Sequence, residues 1–411
     1  MGSPTGDLLA LSDDHLAEIL IRLPTLADLG RACCACPTFR RVVTDHSFLR
    51  RLRALHPAPL LGIVTYAFIP AEPPHPSAAA ASTFADAGAT DFKCSFLPFR
   101  DRWRSRGGRD GRVLLSAIGE GSGGEEFDER RTLVRDLAVC DPIHRRYLLL
   151  PAISDELAAL VPQQEMVRFE PFLAPACEDD VGCNSFRVIC LAQCTSKLVV
   201  FVFSSAIGQW HASEFDGWRA LTAETSNPDP GFESELSTRY YTHRCFCWLM
   251  HWIQKMLVLD TRTMEFSSVD IPPGHPMLQR AIVGAGEGRF GIFTLGVDMV
   301  YGKRRPVHIH SLRYTVLQNA GQDPKQEQAF EKIPLPTNYR YNIMGVAGGY
   351  LLLQGIPKDF ILFPLSERPN LDCFSLNLKS FELEWFCETK HAILLAELYA
   401  GFPLSLSPPT I

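Results

Sequence analysis

Two groups of residues have types and spacing that could do chemistry. Gly119-Glu-Gly121-Ser-Gly-Gly124 satisfies G-x-G-x-x-G after an apolar run. A dinucleotide site of that kind needs a helix start whose N–H groups face a pyrophosphate. The adjoining run Glu125-Glu126-Phe127-Asp128-Glu129 repels phosphate and has no helical apolar face, so a loop is expected. Gly284-Ala-Gly286-Glu-Gly288 reads as a turn. His243, Cys245, Cys247 and His251, with Cys190 and Cys194, offer zinc donors. Alternate positions of one strand share a face, however, and do not enclose a tetrahedral ion without ligands from elsewhere. Buried structural thiols are the expectation, with no metal, no cofactor and no disulfide. No G-x-S-x-G, H-E-x-x-H or P-loop occurs, and Asp179-Asp180 reads as a solvated loop pair. No catalytic residue is expected.

The composition is that of an ordinary soluble globular protein. The 411 residues are 46% hydrophobic and 21% charged, with a net charge of −6, which argues against a nucleic-acid or membrane-surface partner. No leader and no membrane-length apolar run is visible. Thirteen cysteines of irregular spacing fit a reducing compartment. An intracellular protein, cytoplasmic or nuclear, is expected.

The elements that would position any site fall into two kinds. From residue 95 onward come short β-type runs between turn residues: GRVLLSAI, DLAVC, RYLLLP, FRVICLA, KLVVFVF, CFCWLMHW, KMLVLD, GRFGIFTL and GYLLLQG. Internal repetition organises them. Asp141, Ser204, Asp260 and Asn377 each follow an apolar run, and six positions later stand Tyr147, Trp210, Phe266 and Leu383. Each unit reads as a hairpin whose turn residue accepts hydrogen bonds from its own turn, with the later residue packed between sheets. A weaker copy is expected around His308–Tyr314. The spacing of about 50–65 residues matches four-stranded propeller blades. The expected fold class is a small all-α N-terminal unit plus a large all-β domain, a β-propeller of about six blades.

The N-terminus differs. Leu16, Ile19, Leu20 and Leu23 recur at helical spacing behind Ser12, a fitting N-cap. Pro24 stops that helix, and a second carries Leu26, Leu29, Cys33 and Cys36. Phe39, Val42 and Val43 come next, then Phe48, Leu49, Leu52 and Leu55. About 45 residues bury little core by themselves, so an apolar face is expected to meet something else. A helical cap folded onto the following domain explains the amphipathicity equally well.

Leu11, Asp14, Ile19, Leu20, Arg22, Leu23, Pro24, Cys36, Phe39, Arg40 and Val42 together resemble the F-box, the module that docks onto the Skp-type adaptor of a cullin–RING ubiquitin ligase. Ser12, His15 and Phe39 depart from its commoner proline, leucine and tryptophan. Trp248, Leu249, Asp260, Phe266 and Pro272 resemble blades of the kelch-like domains found behind F-boxes. With ALHPAPLLG and VCDPIHRRYLLLP, the chain is similar to a group of grass F-box proteins.

The resemblance implies a substrate-receptor subunit of an SCF-type ligase. Its partners would be a Skp-type adaptor, through it a cullin, and an unknown target protein. The implied adaptor-binding residues are Leu11, Leu16, Ile19, Leu20, Leu23, Pro24, Leu26, Leu29, Phe39, Val42 and Val43. The expected organisation is an F-box at 8–56, a Pro/Ala-rich linker at 57–94 and a propeller at 95–400 that folds alone. An F-box scaffold without target turnover, and a propeller enzyme with an unrecognised channel site, are the alternatives.

Overall fold

The computed structural model describes residues 11–411 apart from 24–25, 56–57, 66, 87–90, 99–102, 119–132, 135, 176–184, 224–235, 251–252, 273–277, 302–305, 318–329, 394–396 and 403–409. The G-x-G-x-x-G segment, Asp179-Asp180, Pro24 and His251 lie outside the described residues.

Among the described residues four short helices come first: α1 (Asp13–Leu20), α2 (Leu26–Ala35), α3 (Pro37–Val43) and α4 (His46–Leu55). Ser12 caps α1, its hydroxyl accepting from the His15 N–H and meeting His15 Nδ1 at 2.6 Å. Asp45 starts α4 by accepting from the Ser47 N–H at 2.8 Å. The helices close around Leu16, Leu20, Ile21, Leu29, Val42, Val43, Phe48, Leu49 and Leu52. Phe402, from beyond the last strand, completes that core. On the surface Arg41 clamps Asp13 through two hydrogen bonds, and Arg51 pairs with Glu18.

The rest is a six-bladed β-propeller. The sixth blade is built from both ends of the chain: β1 (Leu60–Val64) and β2 (Phe68–Pro70) join β23 (Glu397–Ala400) in the order β2-β1-β23. Helix α5 (Ala78–Asp86) lies against β1 and β2, and Phe84 packs among Phe68, Phe92 and Tyr399. Blade one is β3 (Trp103–Arg109), β4 (Arg112–Ala117), β5 (Leu137–Asp141) and β6 (Arg146–Leu149). Blade two is β7 (Met166–Ala174), β8 (Arg187–Cys194), β9 (Leu198–Ser204) and β10 (Gln209–Phe215). Blade three is β11 (Arg239–Thr242), β12 (Cys245–Met250), β13 (Lys255–Asp260) and β14 (Phe266–Asp270). Blade four is β15 (Arg280–Gly284), β16 (Phe290–Tyr301), β17 (Pro306–Val316) and β18 (Phe330–Pro334). Blade five is β19 (Tyr339–Ala347), β20 (Tyr350–Pro357), β21 (Leu371–Asn377) and β22 (Leu383–Thr389).

Each four-stranded blade is an antiparallel meander, and in blades one to three the middle strands are buried on both faces. Strands β3, β7, β11, β15, β19 and β23 are the innermost of their blades and stand side by side around the central axis.

The linker expected over 57–94 is corrected. Its first part supplies two strands and its second part a covering helix, because β23 alone exposes an unpaired edge that β1 fills. The propeller therefore begins before residue 95. The repeated turn residue stands at the hairpin between the third and fourth strands. Asp141, Asp260 and Asn377 each accept two backbone N–H bonds there, whereas the Ser204 hydroxyl is buried without a partner. Trp210 and Phe266 do pack between blades, the first donating to Pro151 O at 2.7 Å and the second meeting Phe215 at 5.2 Å. Tyr147 instead lies on the surface, 42% exposed. His308–Tyr314 is part of β17, the third strand of blade four, and the turn after it lies outside the described residues.

Candidate functional site

The expected adaptor-binding residues separate into two sets. Leu16, Leu20, Leu29, Val42 and Val43 are buried in the core of the helical unit. With Phe48, Leu49, Leu52 and Phe402 they form an enclosed cluster, so their side chains are not offered to a partner. Leu11 and Ile19 are exposed, by 37% and 46%. Leu23 and Phe39 are half-buried at the edge of the same cluster. Pro24 and the side chain of Leu26 lie outside the described residues. The surface available for docking is thus Leu11 and Ile19 with the edges of Leu23 and Phe39.

Cys33 and Cys36 also stand at a C-x-x-C spacing. Cys33 packs against the helical core, and burial pushes its thiol up. Cys36 precedes α3, where the Phe39 and Thr38 N–H groups hold its thiol below the ordinary range. Of the candidate zinc donors, Cys190, Cys194 and Cys247 are buried, and His243 turns away to Arg289 O at 2.8 Å. Among the described residues no cluster of three or more His, Cys, Asp or Glu is placed to hold a metal. Gly284-Ala-Gly286-Glu-Gly288 is the turn between β15 and β16, with Gly286 and Gly288 at positive φ.

A second site, in the channel, has no counterpart in the sequence motifs. Glu170 on β7 pairs with Arg239 on β11, accepts from the Trp248 indole N–H at 3.2 Å and lies 3.8 Å from Arg168. Arg168 also donates to Leu236 O at 2.7 Å. Glu397 on β23 accepts from the Ser105 hydroxyl at 2.8 Å and from the Gly107 N–H, both on β3. Arg106, donating to Ser116 Oγ at 2.7 Å, is close enough to act on both carboxylates. Arg109, at the end of β3, lies 4.1 Å over the Tyr241 ring of blade three.

Several of these contacts join blades that are not neighbours. Arg109 of blade one reaches blade three, and Arg239 of blade three acts on Glu397 of blade six. Such partners meet through the lumen. The two carboxylates respond in opposite directions. Burial opposes ionisation of Glu170, but Arg239, Arg168, the Trp248 N–H and Arg106 outweigh it and hold the carboxyl below its usual range. For Glu397 burial wins over Ser105, Arg239, the Gly107 N–H and Arg106, and the carboxyl is pushed up. The same guanidiniums thus leave one carboxyl held low and the other pushed up, a split of the kind that assigns different proton-transfer roles to two carboxyls.

No family model matches the chain, and no curated protein matches it. Among solved structures it is similar to an oligogalacturonate lyase in complex with manganese, at 10% identity and a TM-score of 0.32, over 68% of this chain and 63% of that one. It is also similar to a post-proline cleaving enzyme from Rickettsia typhi, at 8% identity and a TM-score of 0.31, over 72% and 47%. A third is the GH93 alpha-L-arabinofuranosidase of Fusarium graminearum, at 9% identity and a TM-score of 0.33, over 72% and 82%. The chain thus spans less than two thirds of the length of the first two.

Proposed function

We propose that this chain is a substrate-receptor subunit of an SCF-type ubiquitin ligase. The helical unit docks to a Skp-type adaptor, and through it to a cullin, while the propeller recruits a target protein. The observation that carries the reading is the four-helix unit, which has its own core yet leaves Ile19 and Leu11 exposed. The unit is anchored to the propeller by Phe402 and joins it beside the hairpins that link first and second strands, where Gly401 N–H bonds Pro59 O at 3.1 Å. The opposite face is left for a target. The mechanism is proximity: a bound target is held near the charged conjugating enzyme, which raises its effective concentration.

The test is co-purification of the full-length protein with adaptor and cullin. Ile19→Asp puts an unpaired charge into the docking surface and should weaken adaptor binding on the order of a hundredfold or more. Its exposure predicts an unchanged melting temperature. Leu20→Asp is the uninformative variant, since it buries a charge in the helical core. Equal recovery of adaptor by wild type and Ile19→Asp overturns the proposal. Target accumulation under proteasome inhibition separates a receptor from a scaffold without turnover.

A further inference from the structure

The outermost strand of blade one is unlike its counterparts. Strand β6 reads Arg-Tyr-Leu-Leu, and Tyr147, Leu148 and Leu149 are all exposed. Successive side chains of a strand point to opposite faces, so β6 is apolar and open on both. The fourth strands of blades two to five expose charged or polar residues instead, among them His211 and Glu214 on β10, Asp270 on β14, Lys332 on β18 and Glu388 on β22. The backbone of β6 is open as well. Leu150 N–H bonds Leu137 O at 2.9 Å, and Leu149, Leu148, Tyr147 and Arg146 stand opposite Ala138, Val139, Cys140 and Asp141. Bonded and non-bonded pairs alternate along an antiparallel ladder. Arg146 and Leu148 therefore turn their N–H and C=O groups to β5, and Tyr147 and Leu149 turn theirs outward. Among the described residues no strand pairs with that edge. A charge, a proline or a bulge usually blunts such an edge, and none stands within 147–149.

We propose that β6 is a peptide-docking edge, which takes up one extended segment of a partner protein as an added antiparallel strand of blade one. The outward N–H and C=O groups of Tyr147 and Leu149 receive the backbone of the segment, and only an extended chain presents donors and acceptors at that spacing. Its side chains lie beside Tyr147 and Leu149 on one face and beside Leu148 on the other, so β-branched or apolar residues suit both faces. Charge sets the direction. Arg145 and Arg146, both exposed, stand at the start of β6, and Arg146 also donates to Ile411 O at 3.0 Å. In antiparallel pairing the C-terminal end of the guest meets these arginines, so an acidic residue belongs there. A second copy of the chain fits less well. Two β6 edges bond through their outward residues only when Leu148 faces Leu148, which sets Arg146 against Leu150 and Arg145 against Pro151. The copy then brings no carboxylate to the arginines.

The inference goes beyond adaptor docking, and its test needs neither adaptor nor cullin. Full-length protein is titrated by fluorescence anisotropy with a labelled peptide of alternating Val and Thr that ends in two Asp residues. A second peptide carries the same two Asp residues at its start. Saturable binding of the first below about 1 mM is expected, severalfold tighter than that of the second. Leu149→Pro removes an N–H that faces away from β5, so the blade keeps its own bonds. Binding should fall tenfold or more with an unchanged melting temperature. Arg145→Asn suits the left-handed backbone at that position and should erase the difference between the two peptides. Hydrogen exchange of the wild-type protein gives a local readout that does not depend on either variant. The bound peptide should slow exchange at the Tyr147 and Leu149 amides and leave that of Leu148, already bonded to β5, unchanged. Absence of saturable binding overturns the proposal, as does binding without that exchange pattern. So does a concentration-dependent dimer that Leu149→Pro dissolves while neither peptide binds, a result that assigns the edge to a second copy.

Discussion

Asp141 serves its own turn, the His144 ring (2.9 Å from Oδ2) and Thr410 with one carboxylate. Oδ1 accepts the Ile143 and His144 N–H groups of its own hairpin, and Oδ2 accepts the N–H and hydroxyl of Thr410, each at 2.8 Å. Arg112 holds the Thr410 carbonyl from the other side, and Ile411 packs on the core around blade two. Asp260 and Asn377 occupy the same position in their blades but serve only the local turn. Asp260→Ala and Asn377→Ala should each cost about 1 kcal/mol. Asp141→Ala, which also takes the acceptor from the buried N–H and hydroxyl of Thr410, should cost about 2–4 kcal/mol. Ser204→Ala should be close to neutral, because its buried hydroxyl has no partner to lose. Urea unfolding of the four variants checks the order.

Elements differ in how far they could be read from sequence, and the reason is burial. The apolar runs GRVLLSAI, FRVICLA, KLVVFVF, CFCWLM and KMLVLD are second and third strands, covered on both faces by neighbouring blades. The inner strands WRSRGGR, RYYT and ELYA line the channel and carry its charges. They show neither a continuous apolar run nor a clean alternation, so the strands that build the channel site are the ones no local pattern reveals. A trace is available in Arg168 and Glu170, two apart on one strand face. The linker expectation fails for a related reason: β1 and β2 are short, and β1 finds its inner partner β23 more than three hundred residues away, beyond the reach of any sequence window. A fragment of residues 95–400 should therefore lack a cooperative melt, whereas one beginning at residue 58 and running to 411 should keep it. Between β2 and α5, His75 is buried against Tyr350 and Phe386, and burial lowers its pKa from 6.5 to about 4. The unfolded chain thus binds the extra proton between those values, so stability falls as pH drops from 6.5 through 4. The loss is at most about 3 kcal/mol. His75→Phe, measured by thermal melting against pH, should flatten that slope.

On the scale of the whole molecule the helices and an exposed apolar tip on the fifth blade lie on opposite faces. Helix α4 leads into the start of β1, beside the β19–β20 hairpin, where Gly348 closes on Ala58 and Leu60. The segment joining β20 to β21 leaves from the other end of that blade and exposes Ile361, Leu362 and Phe363 by 67%, 80% and 37%. Under the receptor reading, replacing Ile361 and Leu362 by Ser should deplete proteins retained under proteasome inhibition while adaptor recovery and melting temperature stay unchanged. Quantitative mass spectrometry of the purified complex reads adaptor, cullin and target at once. The shared sixth blade also bears on how the protein is made. A ribosome delivers β1 and β2 more than three hundred residues before β23, so the ring stays open until β23 emerges. Until then, the nascent chain carries two strands without their inner partner, and the free edge of β1 can pair with the wrong neighbour. Slow elongation, or a stalled ribosome, would prolong that exposure, and ribosome-associated chaperones would find their target near the N-terminus rather than in the later blades.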